Sequence, residues 1–178
     1  MLKTKGSIRI MLTAVFAALY AVGVVFLAPI SFHVFQVRVA DAFLPLAMIY
    51  GWPAILGLSL GAFVANMFGG LGPVDMIGGA LANFVATLIA WQIVTRNGRR
   101  WILVGVGAQI LVVTLIVGTY LSYLLAIPLP LSWIGIFLGS LTAIGMLGSI
   151  LLYTLSRRNM VTLLESHGLN ENKPRERK

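Results

Sequence analysis

The sequence predicts an all-α membrane protein, a bundle of six transmembrane helices with both termini in the cytoplasm. Three observations carry that prediction. The 178 residues are 59% hydrophobic and only 10% charged, with a mean hydropathy of +0.96, a composition that leaves a soluble domain no polar exterior. Apolar runs of helical length repeat along the chain, separated by short polar, glycine or proline breaks. The basic residues sit in clusters between those runs, as topology determinants do.

The apolar runs lie near residues 8–29, 38–50, 53–69, 74–95, 101–126 and 131–156. The first follows Lys3, Lys5 and Arg9 as a signal peptide would, but no polar mature domain comes after it, so an uncleaved first span is expected. The second and third are short and joined only by Gly51-Trp52-Pro53. They form either a full helical hairpin or a re-entrant one, and both return the chain to the same side. The third and fourth flank the turn Gly69-Gly70-Leu71-Gly72-Pro73. Arg96, Arg99 and Arg100 link the fourth to the fifth, and Arg157 and Arg158 follow the sixth.

With six spans, all these basic clusters fall on one side and only Arg38 on the other, which puts both termini in the cytoplasm of a multi-pass cell-membrane protein. Residues 1–160 then form one transmembrane domain and 161–178 a polar cytoplasmic tail, disordered in composition from Asn170 onward. The net charge of +8 is spread over these clusters, so no nucleic-acid partner is implied. The absence of cysteine excludes disulfides and thiolate metal sites.

Polar residues gather where the topology predicts the outer face. Arg38, Asp41, Asn66 and Asp75 interrupt the apolar sequence there, and ionisable groups in spans are costly unless they pair or line a cavity. Arg38 and Asp41 are three apart and share a helix face. Asp75, Gly79 and Asn83 recur at four-residue spacing, with Gly78 and Gly79 opening space beside the helix. Two carboxylates, one guanidinium and two carboxamides suit a small planar polar solute, and Phe32, Phe35, Phe43, Phe68 and Trp133 are candidates to stack on it. Each residue also has a plainer role: Arg38 as an interface anchor, Asp75 as a helix-dipole partner, Asn66 and Asn83 as interhelical bonds. Their convergence on one side favours a substrate-binding site at Arg38, Asp41, Asn66, Asp75 and Asn83. His33 reads as a solvated loop residue.

A second pattern lies on the first helix, where Ala14/Ala18 and Ala17/Ala21 form overlapping small-residue pairs; Gly57/Gly61 and Gly135/Gly139 repeat the spacing. Such stripes let backbones approach closely, inside a bundle or against a partner. No Walker loop, zinc motif or nucleophile elbow is present. Asp41 and Asp75 make an intramembrane carboxylate dyad conceivable, but their expected place near the rim argues against it. The sequence therefore supports no enzyme, catalytic residue, metal or cofactor.

The run Gln36-Val37-Arg38-Val39-Ala40-Asp41-Ala42, then Ala65-Asn66, then Gly72-Pro73-Val74-Asp75 leading to Gly78-Gly79-Ala80-Leu81-Ala82, resembles the QueT family of queuosine-precursor transporters. These are substrate-binding S components of energy-coupling-factor (ECF) transporters. The resemblance covers the second to fourth helices; Asp41 stands where the family pattern has the longer Glu, and Asn83 where it has a small or hydroxyl residue. It implies an S-component fold, a deazaguanine base with an aminomethyl group as solute, and no catalysis by this chain. It also implies partners: an EcfT-type transmembrane coupling subunit and two cytoplasmic ATPases, with Ala14, Ala17, Ala18 and Ala21 as the docking stripe. Asp75 is then expected at the ring edge and Asp41 at the amine, with Arg38 holding Asp41.

Overall fold

The computed structural model describes residues 2–31 and 38–156. Among them the chain is helical, without strands: α1 (Leu2–Phe26), a short turn Ala28–Ser31, α2 (Val39–Tyr50), α3 (Trp52–Met67), α4 (Pro73–Asn97), α5 (Arg99–Leu125) and α6 (Leu129–Leu155). Each predicted run corresponds to one helix, and the largest boundary difference is the start of α1 at Leu2 rather than residue 8. α1, α4, α5 and α6 are long and apolar enough to cross a membrane, whereas α2 and α3 are shorter. His33, Gln36, Phe32, Phe35, Arg157, Arg158 and the tail lie outside the described residues.

α2 is the buried centre of the bundle. Its residues from Ala40 to Ile49 are buried apart from the half-buried Phe43, because α6, α4, α1, α3 and α5 all pack on it. A helix enclosed by protein is not required to match the bilayer thickness, which accounts for its shortness. Pro45 lies inside it and has no N–H to donate, and the backbone runs as 3₁₀ helix over Val39–Leu46 before one α-turn at Ala47–Tyr50. The Leu44 carbonyl accepts a hydrogen bond from Gln109 Nε2 of α5 at 3.0 Å, which occupies a backbone acceptor that no water reaches. Gly51, at φ 60°, supplies the left-handed turn into α3.

α1 packs chiefly on α3, and the small residues explain how closely. A methyl at Gly57 would stand 2.5 Å from the Thr13 carbonyl and 2.7 Å from Phe16 Cβ; one at Gly61 would stand 2.7 Å from the Ala17 carbonyl and 2.8 Å from Tyr20 Cβ. The Gly57/Gly61 pair is thus an internal seam. The alanine stripe divides accordingly: Ala17 and Ala21 are half-buried on the bundle side, while Ala14 and Ala18 are exposed.

α6 carries a π-helical stretch, Leu141–Gly148, between α-helical ends. Its buried face includes Ser132, Ile136, Ser140, Ile144, Gly148 and Leu152, a strict four-residue repeat. An α-helix turns about 100° per residue, so each such step drifts about 40° and the whole run would rotate by about 200°. The wider π turns take up that drift and keep one face on the bundle. Gly148 completes the seam, since a methyl there would lie 2.8 Å from Pro45 Cγ and 3.1 Å from the Ala42 carbonyl of α2.

Candidate functional site

The antiparallel order of the helices brings six chain segments to one end of the bundle. α1 brings Tyr20 near its C-terminal end, and α2 opens with Arg38 as N-cap and Asp41 in its first turn. α3 ends on Asn66 and Met67, the glycine turn follows, and α4 begins with Pro73 and carries Asp75 in its first turn and Asn83 further along. α5 contributes Tyr120 near its end and α6 contributes Ser140. Arg9, Arg96, Arg99 and Arg100 lie at the opposite end.

The five predicted site residues are all buried, and two tyrosines organise them. Tyr20 donates its hydroxyl hydrogen to Asp41 Oδ1 at 2.5 Å. Tyr120 donates to Asp75 Oδ1 at 2.8 Å, and Arg38 Nη2 lies 3.6 Å from the same oxygen. Asp41, Asp75, Tyr20 and Tyr120 are the electrostatic neighbours of Arg38. The two aspartates therefore meet around one guanidinium, and their ionised forms leave the cluster one negative charge in surplus. Asn66 Nδ2 donates to the Asp75 carbonyl at 2.7 Å, tying α3 to α4. Asn83 Nδ2 donates to the Leu58 carbonyl at 3.3 Å.

The two adjacent glycines of α4 are seats for this network. A side chain at Gly78 would meet the Tyr120 ring 2.8 Å away, and one at Gly79 would strike Asn66 Nδ2 and lie 3.5 Å from Arg38 Nη1. Asp75 is 0% exposed. Its Oδ2, like Asn66 Oδ1, is buried without a hydrogen-bond donor among the described residues. Buried acceptors left unpaired are costly, so this corner has unused capacity for N–H groups.

A narrow cavity opens beside the charges, lined by Arg38, Asp41, Asn83, Val113, Val117, Ile136, Gly139 and Ser140. It holds about 300 Å³ of atom-free space counted to its mouth, most of it thinner than a water molecule. A ring system enters only when the side chains part. Asp41, Asn83 and Arg38 face this space, whereas Asp75 and Asn66 are not in its lining and adjoin it through Arg38.

Several expectations are corrected. Phe43, Phe68 and Trp133 do not line the cavity: Phe68 is 69% exposed, and Trp133 lies against Gly118 and donates to Thr119 Oγ1 at 3.2 Å. The apolar wall is aliphatic instead, from Val113, Val117 and Ile136. Asp41 and Asp75 sit in the first turns of α2 and α4, toward one end of the bundle, and are buried there among the helices. The sequence reading also missed Tyr20, Tyr120 and Ser140. A tyrosine deep in an apolar span is a usable signal, because its hydroxyl needs a partner there.

Arg38 is the keystone of the charge arrangement. Arg38→Met strands two buried carboxylates and is expected to lower the unfolding free energy by about 3–5 kcal/mol. Thermal unfolding in detergent measures it, and adding Asp75→Asn should recover part of the loss.

The model of the QueT transporter family matches residues 10–157, a range that holds every residue of the cluster. No curated protein and no solved structure matches the chain.

Proposed function

The chain belongs to the QueT transporter family, and on that premise we propose that it is the substrate-binding S component of an energy-coupling-factor transporter, capturing a queuosine precursor of deazaguanine type for ATP-driven uptake. The observation that carries this reading is the buried cluster of one arginine and two aspartates beside a cavity. Its surplus negative charge suits a cationic aminomethyl group, and its unpaired acceptors suit the N–H edge of a guanine-type ring. Asp41, in the cavity wall, takes the amine; Asp75, whose Oδ2 has no partner among the described residues, takes the ring edge after Arg38 shifts. Asn83 serves a ring carbonyl or N–H from the wall, and Asn66 braces Asp75.

The site opens to the outside and the basic end faces the cytoplasm, in keeping with the positive-inside rule. Energy comes from an EcfT-type coupling subunit and two cytoplasmic ATPases. The exposed half of the alanine stripe, Ala14 and Ala18, is the docking face toward that subunit, while Ala17 meets the glycines of α3 and Ala21 packs against the core.

Uptake of labelled aminomethyl-deazaguanine into proteoliposomes tests the assignment. The chain alone should bind the base saturably without transporting it, and transport should appear with the coupling subunit and ATPases present. Ala18→Trp should leave binding intact and reduce that uptake to background. Equilibrative flux through the chain alone identifies a stand-alone facilitator and contradicts the proposal. Binding of a different solute in its place contradicts the substrate.

A further inference from the structure

We infer that Ser140 of α6 is a ligand-contacting residue that sets selectivity at this cavity, presented from the wall opposite the charged cluster. The inference rests on reading the cluster as a solute site. The cavity has two unlike walls. One is polar, with Arg38, Asp41 and Asn83; the other, from α5 and α6, is Val113, Val117, Ile136, Gly139 and Ser140. Ser140 is the one polar side chain of that second wall, and it is 4% exposed.

Its neighbours show what a serine or threonine of this helix ordinarily does. Ser132 donates to the Gly118 carbonyl at 2.7 Å, Thr142 to the Leu138 carbonyl at 2.6 Å and Thr154 to the Ile150 carbonyl at 2.9 Å. Each hydroxyl is thereby satisfied by backbone. No hydrogen bond among the described residues takes up the Ser140 hydroxyl. The Ser140 hydroxyl is not among the sealed, unpartnered polar atoms of the described residues, so it keeps an open side, and the open space it lines is the cavity.

The backbone holds it there. Ser140 is the last residue before the π stretch, on the four-residue repeat that runs from Ser132 to Leu152. Without the wider turns that follow it, the face bearing Ser140 and the face bearing Gly148 would not both meet the bundle. Gly139, beside it, adds no side chain to the wall, so a flat ring can lie against the backbone there. A hydroxyl both donates and accepts. Ser140 therefore suits a ring carbonyl or ring nitrogen on the edge turned away from Asp41, and disfavours a solute with an apolar edge in that place.

Two measurements test this. The chain contains no cysteine, so Ser140→Cys introduces a single thiol. A cationic methanethiosulfonate reagent should modify it about tenfold faster than an anionic one, given two carboxyl groups to one guanidinium beside it. Thr142→Cys, on the outward, lipid-facing side of the same span, should react with neither reagent. Ser140→Ala should weaken binding of aminomethyl-deazaguanine about three- to tenfold, the worth of one neutral hydrogen bond, without lowering the melting temperature of the ligand-free protein. A thiol indifferent to reagent charge overturns the placement of Ser140 in the charged cavity. Unchanged affinity in Ser140→Ala, with wild type binding the base, overturns the contact and leaves the proposed function standing. If wild type ignores the base while the thiol keeps its charge preference, the proposed substrate fails and Ser140 remains a residue of the site.

Discussion

Asp75→Asn is expected to reduce affinity for aminomethyl-deazaguanine on the order of 100-fold, about 3 kcal/mol. Asp75 is fully buried, accepts from Tyr120 on Oδ1 at 2.8 Å, and among the described residues keeps Oδ2 unpaired. An ionised carboxylate can take two N–H groups of a guanine-type edge in a charge-assisted, bidentate manner. Asparagine retains one acceptor and turns a donor toward that edge, so it loses a bond and adds a clash of donors. The ligand-free fold should tolerate the change, because Asp41 still balances Arg38 and Tyr120 can still donate to the amide oxygen. Isothermal titration and thermal unfolding of the same preparation separate the two effects. Unchanged affinity removes Asp75 from the site.

Gly61→Leu is expected to prevent folding of the bundle. The approach of α1 to α3 leaves no room for a side chain, with the Ala17 carbonyl and Tyr20 Cβ both inside 3 Å of the position a methyl would take. One of those neighbours is backbone and cannot rotate away. Overpacking a core costs typically about 1–3 kcal/mol and more where nothing yields. Tyr20 is carried on the same seam, so a displaced α1 also withdraws the donor that orients Asp41. The yield of monodisperse protein after detergent extraction reads the effect. Gly107→Ala is the control: nothing lies within 4 Å of its added methyl, and the replacement should be neutral or stabilising by up to about 1 kcal/mol. Normal yield and melting for Gly61→Leu contradicts the close packing of α1 on α3.

The helices were legible because a bilayer imposes length and hydropathy on sequence directly. Arg38, Asp41, Asn66, Asp75 and Asn83 were legible because polar groups in an apolar chain stand out. The central position of α2 was not, since a short apolar run reads alike whether lipid or protein surrounds it. Pattern could not reveal that α5 and α6 build half of the cavity wall. Val113, Val117, Ile136 and Gly139 are ordinary span residues, and only the fold turns them inward. Tyr20 and Tyr120 were passed over as apolar span residues, although a buried hydroxyl demands a partner. The π stretch left a trace in the four-residue repeat of α6, which an α-helix alone cannot keep on one face. Stacking aromatics were expected from sequence nearness, but neighbours on a helix diverge by about 100° per residue, and Phe68 and Trp133 point elsewhere.

Titrating the purified chain with aminomethyl-deazaguanine and with the same base lacking its amine tests the proposed pairing of a cationic solute with Asp41 and Asp75 most directly. The amine-bearing base should bind on the order of 100-fold tighter, the worth of a charge-assisted bond to a buried carboxylate. Equal affinity for the two bases, or binding of neither, contradicts a cation-selective nucleobase site in this cluster.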